Sequence, residues 1–408
     1  MLFLYNLGIR LYGLLIQLAC LNSAKARFFV KGRSGIFERI EDAVSPGKKH
    51  IWFHFASLGE FEQGRPVLEE MRKTRPESSI FVTFFSPSGY EIRKNYPLAD
   101  HIFYLPVDTK DNARRFIDLV NPEMAVFTKY EYWYHYFTGL ESRNIPLYVI
   151  SGIFRRQQPF FKWYGGFHRK MLNCVSYFFV QNPESQKLLA ELNHQNVIVS
   201  GDTRFDRVYE NAHNPKKIDL VEAFCGDSKV IIAGSTWLPD EKLLTALPAL
   251  FPDWKLVIAP HEIGESRIKE IESMFEGSVR FSRLKATAMN QQTLIIDNIG
   301  MLSSLYQYGD IACIGGGFGA GIHNTLEAAA FGLPVIFGPK YEKFQEAKDL
   351  IQAGAAFPVS RQEDLRVIAG KLILNDFRIT SGAKARHYVE GNTGATALIV
   401  EHINFPIN

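Results

Sequence analysis

Short runs of β-branched and aromatic residues alternate with helical patterns along most of this 408-residue chain. This alternation limits the fold more than any other feature, because strands that alternate with helices build a parallel sheet covered by helices. The rhythm pauses in the polar stretch 211–227 and then restarts, which indicates two such domains. The predicted strands are 51–56, 80–85, 101–105, 124–128, 147–150, 177–180 and 197–199, then 230–233, 255–259, 293–296, 311–314, 334–337 and 356–359; predicted helices include 62–73, 112–119 and 322–331.

We predict an α/β protein made of two doubly wound, Rossmann-like domains that face a central cleft, with a membrane-associated helix at the N-terminus. The predicted limits are 1–40 for the N-terminal membrane-associated segment, 41–207 for the first domain, 208–228 for an interdomain linker, 229–385 for the second domain and 386–408 for a C-terminal helical segment.

The N-terminus carries the positive excess of a chain whose formal net charge is only +3. Residues 1–24 have a single charged side chain, Arg10, which interrupts the roughly 20 apolar residues that a full span needs. A cleaved signal peptide would have basic residues before its apolar stretch, whereas here they follow it. We expect a helix on an anionic membrane surface, and the alternative is a soluble helix packed on the protein's own core. The basic residues expected to meet headgroups are Lys25, Arg27, Lys31 and Arg33.

Several classes of protein are disfavoured by the motifs of the chain. The net charge of +3 gives no reason to expect a nucleic-acid partner. The four cysteines form no CxxC pair, and neither HExxH nor a P-loop lysine motif occurs, which disfavours a zinc site, a disulfide framework and an NTPase. The glycine-rich stretch that starts at Gly315 fails the GxGxxG pattern because its sixth residue is Ala320, which disfavours a dehydrogenase.

Glu60 is the first candidate for chemistry. It follows the predicted strand 51–56 and a small-residue turn that contains Ser57 and Gly59. In open α/β sheets ligands bind beyond the carboxyl ends of the strands, so this position faces a ligand site. A carboxylate here either complements the dipole of the next helix or acts as the general base for a hydroxyl nucleophile.

Two other strand ends in the first half carry polar side chains. Glu131 follows the strand 124–128 among aromatic residues, where it would hydrogen-bond a sugar or hold a catalytic neighbour. Ser86 and Ser88 follow the strand 80–85, where their hydroxyls would bind a polar group or cap a helix.

The second half carries a pattern suited to a nucleotide. Glycines at 315–321 lie between a predicted strand and a helix, where exposed N–H groups and a helix N-terminus suit a phosphate; the alternative is a flexible loop. Glu327, early in that helix, would reach a ribose hydroxyl. The candidate residues of this half are Gly234, Ser235, Thr236, His261, Gly316, Gly317, Asn324 and Glu327.

Together these segments resemble the 3-deoxy-D-manno-octulosonic acid (Kdo) transferases of Gram-negative bacteria, from about residue 51 to residue 344, and they follow the order of that family's motifs. The segments that carry the resemblance are 56–60, 85–89, Glu131 with Trp133, 201–206, 234–236, His261, 316–327, and Gly338-Pro339 with Phe344.

The resemblance implies an inverting GT-B glycosyltransferase that transfers Kdo from CMP-Kdo to a lipid A precursor, lipid IVA, in lipopolysaccharide synthesis. It implies action at the cytoplasmic face of the bacterial inner membrane, with no cofactor and no metal, since helix N-termini and basic groups would stabilise the departing CMP. The domain 41–207 would bind the acceptor, and the domain 229–385 would bind the donor. The implied roles are catalytic for Glu60 and Glu131, donor-binding for Gly234, Ser235, Thr236, His261, Gly316, Gly317, Asn324 and Glu327, and acceptor-binding for Ser57, Gly59, Ser86, Ser88 and Arg204.

Two positions depart from the family's pattern. Pro260-His261-Glu262 stands where the family often has Arg-His-Pro-Glu, so phosphate contact falls to His261 or to another basic residue. Arg204 stands where lysine is common, which keeps the charge and changes the geometry. Two other functions stay open: another GT-B enzyme that uses a UDP-sugar, such as a transferase or an epimerase, and a catalytically inactive, membrane-docked binding protein.

Overall fold

A computed structural model describes residues 1–285 and 289–404, which form two compact units. The first unit is Met1–Asp206 together with a return segment that begins at Gly394, and the second unit is Arg207–Thr393. Among the described residues, each unit is built on a seven-stranded parallel sheet flanked by helices, which confirms the predicted pair of Rossmann-like α/β domains.

Parts of the predicted domains lie outside the described residues. They are 286–288 in the second domain and 405–408 in the C-terminal segment. The predicted linker 208–228 contains helical structure, and the sequence-based domain limits stay predictions.

The sheet of the first unit sets the position of one candidate site. Its strands are β1 His50–Phe55, β2 Ser79–Phe84, β3 His101–Tyr104, β4 Pro122–Thr128, β5 Leu147–Gly152, β6 Tyr177–Val180 and β7 Val197–Val199. The strand order is β3-β2-β1-β4-β5-β6-β7, so the direction of winding reverses between β1 and β4. Ligands of doubly wound sheets bind at such a switch point, beyond the carboxyl ends of the strands.

The central strand β1 shows why this sequence forms a buried parallel strand. All six of its residues are buried, as expected where helices cover both faces of a sheet. Its side chains alternate between two hydrophobic cores: Trp52 packs into one, whereas Phe53 and Phe55 pack into the other.

Helices of the first unit cover both faces of the sheet. They are α1 Leu2–Ala19, α2 Ala24–Arg33, α3 Ile36–Ala43, α4 Leu58–Thr74, α5 Pro87–Arg93, α6 Lys110–Val120, α7 Tyr134–Glu141, α8 Gly166–Asn173 and α9 Pro183–Ala190. Their starts follow local capping chemistry: the Thr109 hydroxyl accepts from the Asn112 N–H (3.3 Å) at α6, and the Asn182 side chain accepts from the Ser185 N–H (2.8 Å) at α9.

Helix α1 is, among the described residues, the one helix long and apolar enough to cross a membrane, and none of its residues is buried. Its inward face contacts the first unit through Tyr5, whose hydroxyl donates to Asp108, and through Asn6, whose side-chain oxygen lies 2.7 Å from His135 Nε2. Its outward face leaves Phe3 and Leu15 largely exposed. An exposed apolar face of this size is typical of an interaction surface, and the membrane contact stays a prediction.

One residue of the basic cluster does not reach toward headgroups as predicted. The Arg33 guanidinium turns inward, donates to the carbonyls of Leu105 (2.8 Å) and Phe85 (2.7 Å), and lies 3.6 Å from the Phe29 ring centroid. A planar guanidinium satisfies several carbonyls and an aromatic face at once, which explains its burial. Lys25, Arg27 and Lys31 are exposed, as the membrane prediction requires.

The chain leaves the first unit after Asp206 and returns to it at Gly394, and the Asp206 carboxylate binds the returning segment. Helix α10, Arg204–His213, leads out of the first unit, and helix α20, Ala395–Asn404, packs back against α4. Asp206 accepts from the Gly394 N–H (2.6 Å) and from both the N–H and the hydroxyl of Thr396 (2.7 Å each). The C-terminal helix is therefore part of the first unit's core.

The second unit repeats the doubly wound plan. Its strands are β8 Val230–Thr236, β9 Lys255–Pro260, β10 Val279–Arg280, β11 Thr293–Ile295, β12 Ile311–Ile314, β13 Val335–Phe337 and β14 Ala356–Pro358. Its helices are α11 Asp219–Cys225, α12 Leu238–Leu244, α13 Leu247–Leu250, α14 Glu265–Met274, α15 Leu302–Leu305, α16 Leu326–Ala330, α17 Gln345–Ala353, α18 Gln362–Leu372 and α19 Asn375–Glu390. The order β10-β11-β9-β8-β12-β13-β14 puts the switch point between β8 and β12.

Two sequence-based assignments differ from this unit. The edge strand β10 was not predicted, because two residues are too few to show an alternating pattern. The helix predicted at 322–331 is shorter, since α16 begins at Leu326. The side-chain oxygen of Asn324 accepts from the Leu326 N–H (3.1 Å), which delays the start of the helix.

Candidate active site

Glu60 lies in the first turn of α4, directly beyond the carboxyl end of β1. The Ser57 hydroxyl donates to its carboxylate, and Gly59 between them is exposed. Glu60 is itself half-buried, so its carboxylate remains open to a substrate hydroxyl. The predicted position beside the switch point is the one observed, and the geometry suits a general base.

Glu131 lies beyond the neighbouring strand β4 and holds two side chains. The Trp133 indole N–H donates to Glu131 Oε2 (2.9 Å), and His54 Nε2 lies 3.4 Å from the same oxygen. The carboxylate is 17% exposed and His54 is fully buried. Of the two roles predicted for Glu131, this arrangement supports holding a neighbour, and that neighbour is His54.

A chain of hydrogen bonds behind His54 fixes its orientation. The Trp52 indole N–H donates to Thr83 Oγ1 (2.8 Å), and Thr83 Oγ1 lies 2.8 Å from His54 Nδ1. Thr83 Oγ1 also lies 3.4 Å from the Phe53 carbonyl oxygen, to which it can donate, so the two ring nitrogens of His54 face Thr83 and Glu131. Trp52, His54 and Thr83 were not among the predicted site residues, because only the pairing of β1 with β2 brings them together.

The hydroxyl-rich turn after β2 serves helix α5. The Ser86 hydroxyl accepts from the Ser88 N–H (3.3 Å) and lies 3.0 Å from the Ser88 hydroxyl. Ser86 is half-buried and Ser88 is exposed. The capping alternative therefore accounts for the Ser86 hydroxyl, whereas acceptor contact by Ser88 stays a prediction.

Arg204 is held by a buried carboxylate. Asp202 accepts two hydrogen bonds from the Arg204 guanidinium, each 2.8 Å long, and a third from the Arg204 N–H (3.0 Å). Gln63 of α4 adds a fourth at 3.1 Å. This pairing positions the guanidinium at the start of α10, one-third exposed, and ties α10 to the helix that carries Glu60.

The Asp202 pair predicts an acid-sensitive contribution to stability. Burial alone would raise the pKa of Asp202, but the Arg204 guanidinium and the hydrogen bonds outweigh it and lower that pKa. A lowered folded-state pKa stabilises the fold at pH values above the unfolded value of about 3.9, and this stabilisation is lost as the pH falls through the folded-state pKa. We expect Asp202→Asn to lower the free energy of unfolding by about 2 kcal/mol at pH 7, and by progressively less below pH 4.

Urea unfolding at several pH values measures this difference. Asp42→Asn, at an exposed position on α3, is the matched control and should cost less than about 0.5 kcal/mol. A difference between wild type and Asp202→Asn that stays constant down to pH 3 would contradict the role of the charged pair.

The second unit gathers its candidates at the switch between β8 and β12. Gly234, Ser235 and Thr236 form the end of β8, and the glycine-rich loop follows β12. Ser235 has a positive φ of 53°, and Gly316 has a φ of 90°, so both strand ends turn sharply. A Cβ at Gly234 would lie 2.3 Å from the Tyr306 hydroxyl, which shows that this glycine is needed for packing beneath the site.

Asp240 connects the two loops of this site and was not among the predicted donor residues. Its Oδ2 accepts from the Gly316 N–H and from the Trp237 N–H, both at 2.9 Å. Burial raises the pKa of Asp240, and the two N–H donors oppose that shift. The Gly316 N–H is therefore occupied by Asp240, whereas the N–H groups of the buried Gly317 and the half-buried Phe318 have no backbone acceptor within the described residues.

His261 lies in an aromatic stack that sequence reasoning did not foresee. Its ring is stacked between those of Trp237 and His323, with centroid distances of 4.6 Å to each. The Trp237 indole N–H donates to His323 Nε2 (3.0 Å), and burial, with the neighbouring His261, lowers the pKa of His323. His323 is thus neutral at pH 7, and the stack is a flat polar surface suited to a planar base or a phosphate.

The family often has an arginine near position 260, and Arg267 does not take its place as a phosphate contact. Its guanidinium pairs with Glu241, which also accepts from the Thr236 hydroxyl (2.8 Å). The Thr236 hydroxyl is therefore engaged with the protein. Asn324 donates to Glu327 (3.0 Å), so the predicted ribose contact and its neighbour are already paired beside α16. His261 stays the predicted phosphate contact.

No group of three or more His, Cys, Asp or Glu side chains with the arrangement of a metal site occurs within residues 1–285 and 289–404. The predicted independence from metals and cofactors stays a prediction.

Comparison with known proteins shows similarity to one family of transferases. Residues 30–207 match the family described as 3-deoxy-D-manno-octulosonic-acid transferase (kdotransferase). A 3-deoxy-D-manno-octulosonic acid transferase of Haemophilus influenzae is 27% identical over 351 residues, which cover 82% of this chain and 81% of that protein. The corresponding transferase of Aquifex aeolicus is 26% identical over 333 residues, or 80% of this chain and 86% of that protein.

These relatives indicate a glycosyltransferase that is similar to the Kdo transferases. The family match covers less than half of the chain and ends at residue 207, one residue after the first unit ends. The predicted family resemblance is therefore confirmed.

Solved structures agree with the fold of this chain. The UDP-GlcNAc 2-epimerase of Neisseria meningitidis, bound to UDP-GlcNAc, has a TM-score of 0.62 and covers 87% of this chain and 99% of that chain. At 17% identity this likeness shows the shared two-domain GT-B type of fold and nothing about the ligand.

Proposed function

We propose that this protein transfers a Kdo residue from CMP-Kdo to a lipid A precursor, lipid IVA, with inversion at the anomeric carbon. The observation that carries the proposal is Glu60 at the switch point of the unit that matches the Kdo transferase family. The relatives from Haemophilus influenzae and Aquifex aeolicus, both named as Kdo transferases, support the same reaction.

Glu60 acts as the general base in this proposal. An acceptor hydroxyl attacks the anomeric carbon of Kdo, its proton passes to the Glu60 carboxylate, and a new C–O bond forms. The bond between that carbon and the phosphate oxygen of CMP breaks, and CMP leaves with the bonding electron pair. One displacement inverts the anomeric carbon, and the products are the glycosylated acceptor, CMP and a proton on Glu60.

Ser57 and Glu131 support this step in different ways. The Ser57 hydroxyl donates to Glu60, so it holds the carboxylate in place without burying it. Glu131 pairs with the fully buried His54 at the neighbouring strand, so His54 holds the Glu131 carboxylate beside the acceptor sugar in this proposal. Of the two predicted catalytic residues, Glu60 is therefore the base in this proposal and Glu131 is a positioning carboxylate.

The second unit binds the donor in this proposal. The N–H groups of Gly317 and Phe318 would donate to the CMP phosphate, and the stack of Trp237, His261 and His323 would contact the phosphate or the base. Fixed N–H donors stabilise the negative charge that develops on departing CMP. Asp240 keeps the two loops together and positions Gly317 by binding its neighbour.

The N-terminal helix gives the enzyme access to a lipid acceptor. Helix α1 exposes apolar side chains, and the cationic residues Lys25, Arg27 and Lys31 follow it. This combination suits the anionic cytoplasmic face of the inner membrane, which we propose as the place of action.

A reaction of the full chain with lipid IVA and CMP-Kdo generated in situ tests the proposal. We expect the mass of the lipid to rise by one or more Kdo residues, and CMP to raise Tm more than UDP does, because the donor site would be built for cytidine nucleotides. Absence of transfer would remove the proposed activity, and a larger Tm shift with UDP would favour the UDP-sugar alternative.

A further inference from the structure

A groove lies between the N-terminal helices and the turn after β2. It has a volume of about 280 Å³, and its apolar wall is formed by Tyr12, Ile16, Ala26, Phe29, Phe85 and Pro87. Ser23, Lys25 and Ser86 add polar groups to the lining. Glu60 and Glu131 are not among its lining residues, whereas Ser86, one of the residues predicted to bind the acceptor, is.

One wall of the groove belongs to α1, the helix for which we propose the membrane contact. Tyr12 and Ile16 stand one helical turn apart on α1, on the face turned toward α2 and the sheet. The neighbouring Leu15 and Leu18 are 63% and 59% exposed on the outer face. A groove bordered by a membrane-seated helix is within reach of the lipid phase, so its natural occupant is a hydrocarbon chain.

Aromatic contacts connect the groove with the candidate active site. The Phe85 ring lies 6.0 Å from the Tyr12 ring inside the groove and 4.7 Å from the Trp133 ring. Trp133 in turn donates to Glu131. Phe85 and Trp133 therefore separate the groove from Glu131, and the Arg33 guanidinium donates to the Phe85 carbonyl (2.7 Å).

One cation of the groove suits the head of an acylated, phosphorylated sugar. Lys25 lines the groove and is exposed, whereas Arg27 and Lys31 lie on the opposite face of the same helix. A phosphate group attached to the sugar would meet Lys25, while the apolar wall would face an attached acyl chain. A free hydrocarbon would have no use for this cation, whereas a glycolipid would contact both surfaces.

We propose that this groove binds one acyl chain of the lipid acceptor and thereby delivers the attached sugar hydroxyl toward Glu131 and Glu60. The inference rests on the proposed transfer to a lipid A precursor and specifies how the acceptor is recognised. At about 280 Å³ the groove lies at the lower limit of ligand pockets, which span roughly 300–1,000 Å³, so it holds a segment of a single chain. The remaining chains stay in the bilayer.

Two tryptophan variants of α1 separate groove binding from membrane binding. Ile16→Trp fills the groove, whereas Leu15→Trp adds the same side chain to the outer face of the same helix. Both keep α1 apolar, so any general effect of tryptophan on vesicle binding is common to them. We expect Ile16→Trp to have a KM for tetraacylated acceptor on the order of tenfold above that of Leu15→Trp, the equivalent of excluding about two methylene groups.

A deacylated, water-soluble form of the same phosphorylated disaccharide provides the specificity test. Its kcat/KM should be equal in Ile16→Trp and Leu15→Trp, because it has no chain to place in the groove. If the ratio of kcat/KM between Ile16→Trp and Leu15→Trp is the same for the tetraacylated and the deacylated acceptor, the inference is overturned. A loss of vesicle binding confined to Ile16→Trp would also overturn it, because that result would assign the groove to bilayer phospholipid.

The failure of the proposed reaction would be seen separately. If wild type transfers Kdo to neither acceptor, the proposed activity is wrong. Binding of the acceptor, measured as a shift in Tm, still tests the groove in that case. In detergent, the tetraacylated disaccharide should raise Tm of wild type and of Leu15→Trp but not of Ile16→Trp. Equal Tm shifts in all three proteins would by themselves overturn the proposal that the groove binds an acyl chain.

Discussion

Glu60→Gln is expected to lower kcat for Kdo transfer by about 10²–10⁴-fold, because a glutamine accepts no proton from the attacking hydroxyl. The size and the hydrogen-bonding reach of the side chain are kept, so the Ser57 hydroxyl still has an acceptor. The KM for CMP-Kdo should stay within about twofold of wild type, since an interaction made only in the transition state changes kcat and not ground-state binding. Single-turnover kinetics with saturating donor measure the chemical step directly.

Glu62→Gln is the matched control on the same helix. Glu62 lies two residues further along α4 and pairs with Arg65 and Arg93 at the surface, where its side chain is 34% exposed. Its replacement removes a carboxylate of α4 without touching the switch point, and surface ion pairs contribute only about 0–1 kcal/mol. Transfer by Glu60→Gln at the rate of Glu62→Gln would rule out position 60 as the base.

Gly315→Ala is expected to destabilise the second unit by about 3 kcal/mol and to abolish the Tm shift caused by CMP. A Cβ at this position would lie 2.2 Å from the Ser235 carbonyl oxygen and 2.6 Å from the Thr236 Cα. Both neighbours are backbone atoms of the adjacent strand end, so no side-chain rotation can relieve the overlap. The loops after β8 and β12 must separate, and the donor site is built from those two loops.

Gly319→Ala in the same loop distinguishes crowding from a general loss of glycine. Its Cβ would lie 3.6 Å from the Gly316 carbonyl oxygen, an ordinary van der Waals contact. This variant should unfold within about 1 kcal/mol of wild type and should still respond to CMP. Scanning calorimetry follows the unfolding of both variants, and similar losses in the two would contradict the steric explanation.

Strand positions could be predicted because local patterns carry them. The predicted strands 177–180, 197–199 and 311–314 coincide with β6, β7 and β12. Short apolar runs between turn residues indicate strands, and this pattern is visible within a few consecutive residues. Glu60 could be found for the same reason, as a carboxylate directly after a buried strand. The helix at α16 was predicted too long, because the pattern does not show that Asn324 binds the Leu326 N–H.

The contacts around the sites could not be predicted, because they join distant segments. His54 and Glu131 are 77 residues apart, and Trp237 and His323 are 86 apart. Arg33 looked like part of a surface cluster until its carbonyl partners on Leu105 and Phe85 were known. In each case the partner is chosen by which strands lie side by side.

The sequence by itself therefore determined the class of fold, the resemblance to the Kdo transferases and the carboxylate at position 60, because periodicity and short motifs are local signals that extend over a few residues. Only the tertiary structure decided that Glu131 holds His54, that Asp240 occupies the Gly316 N–H and that a lipid-sized groove lies under α1. The physical reason is the strand order: which β-strand ends meet depends on how the whole sheet winds, and the polar and aromatic partners of a site follow from that meeting.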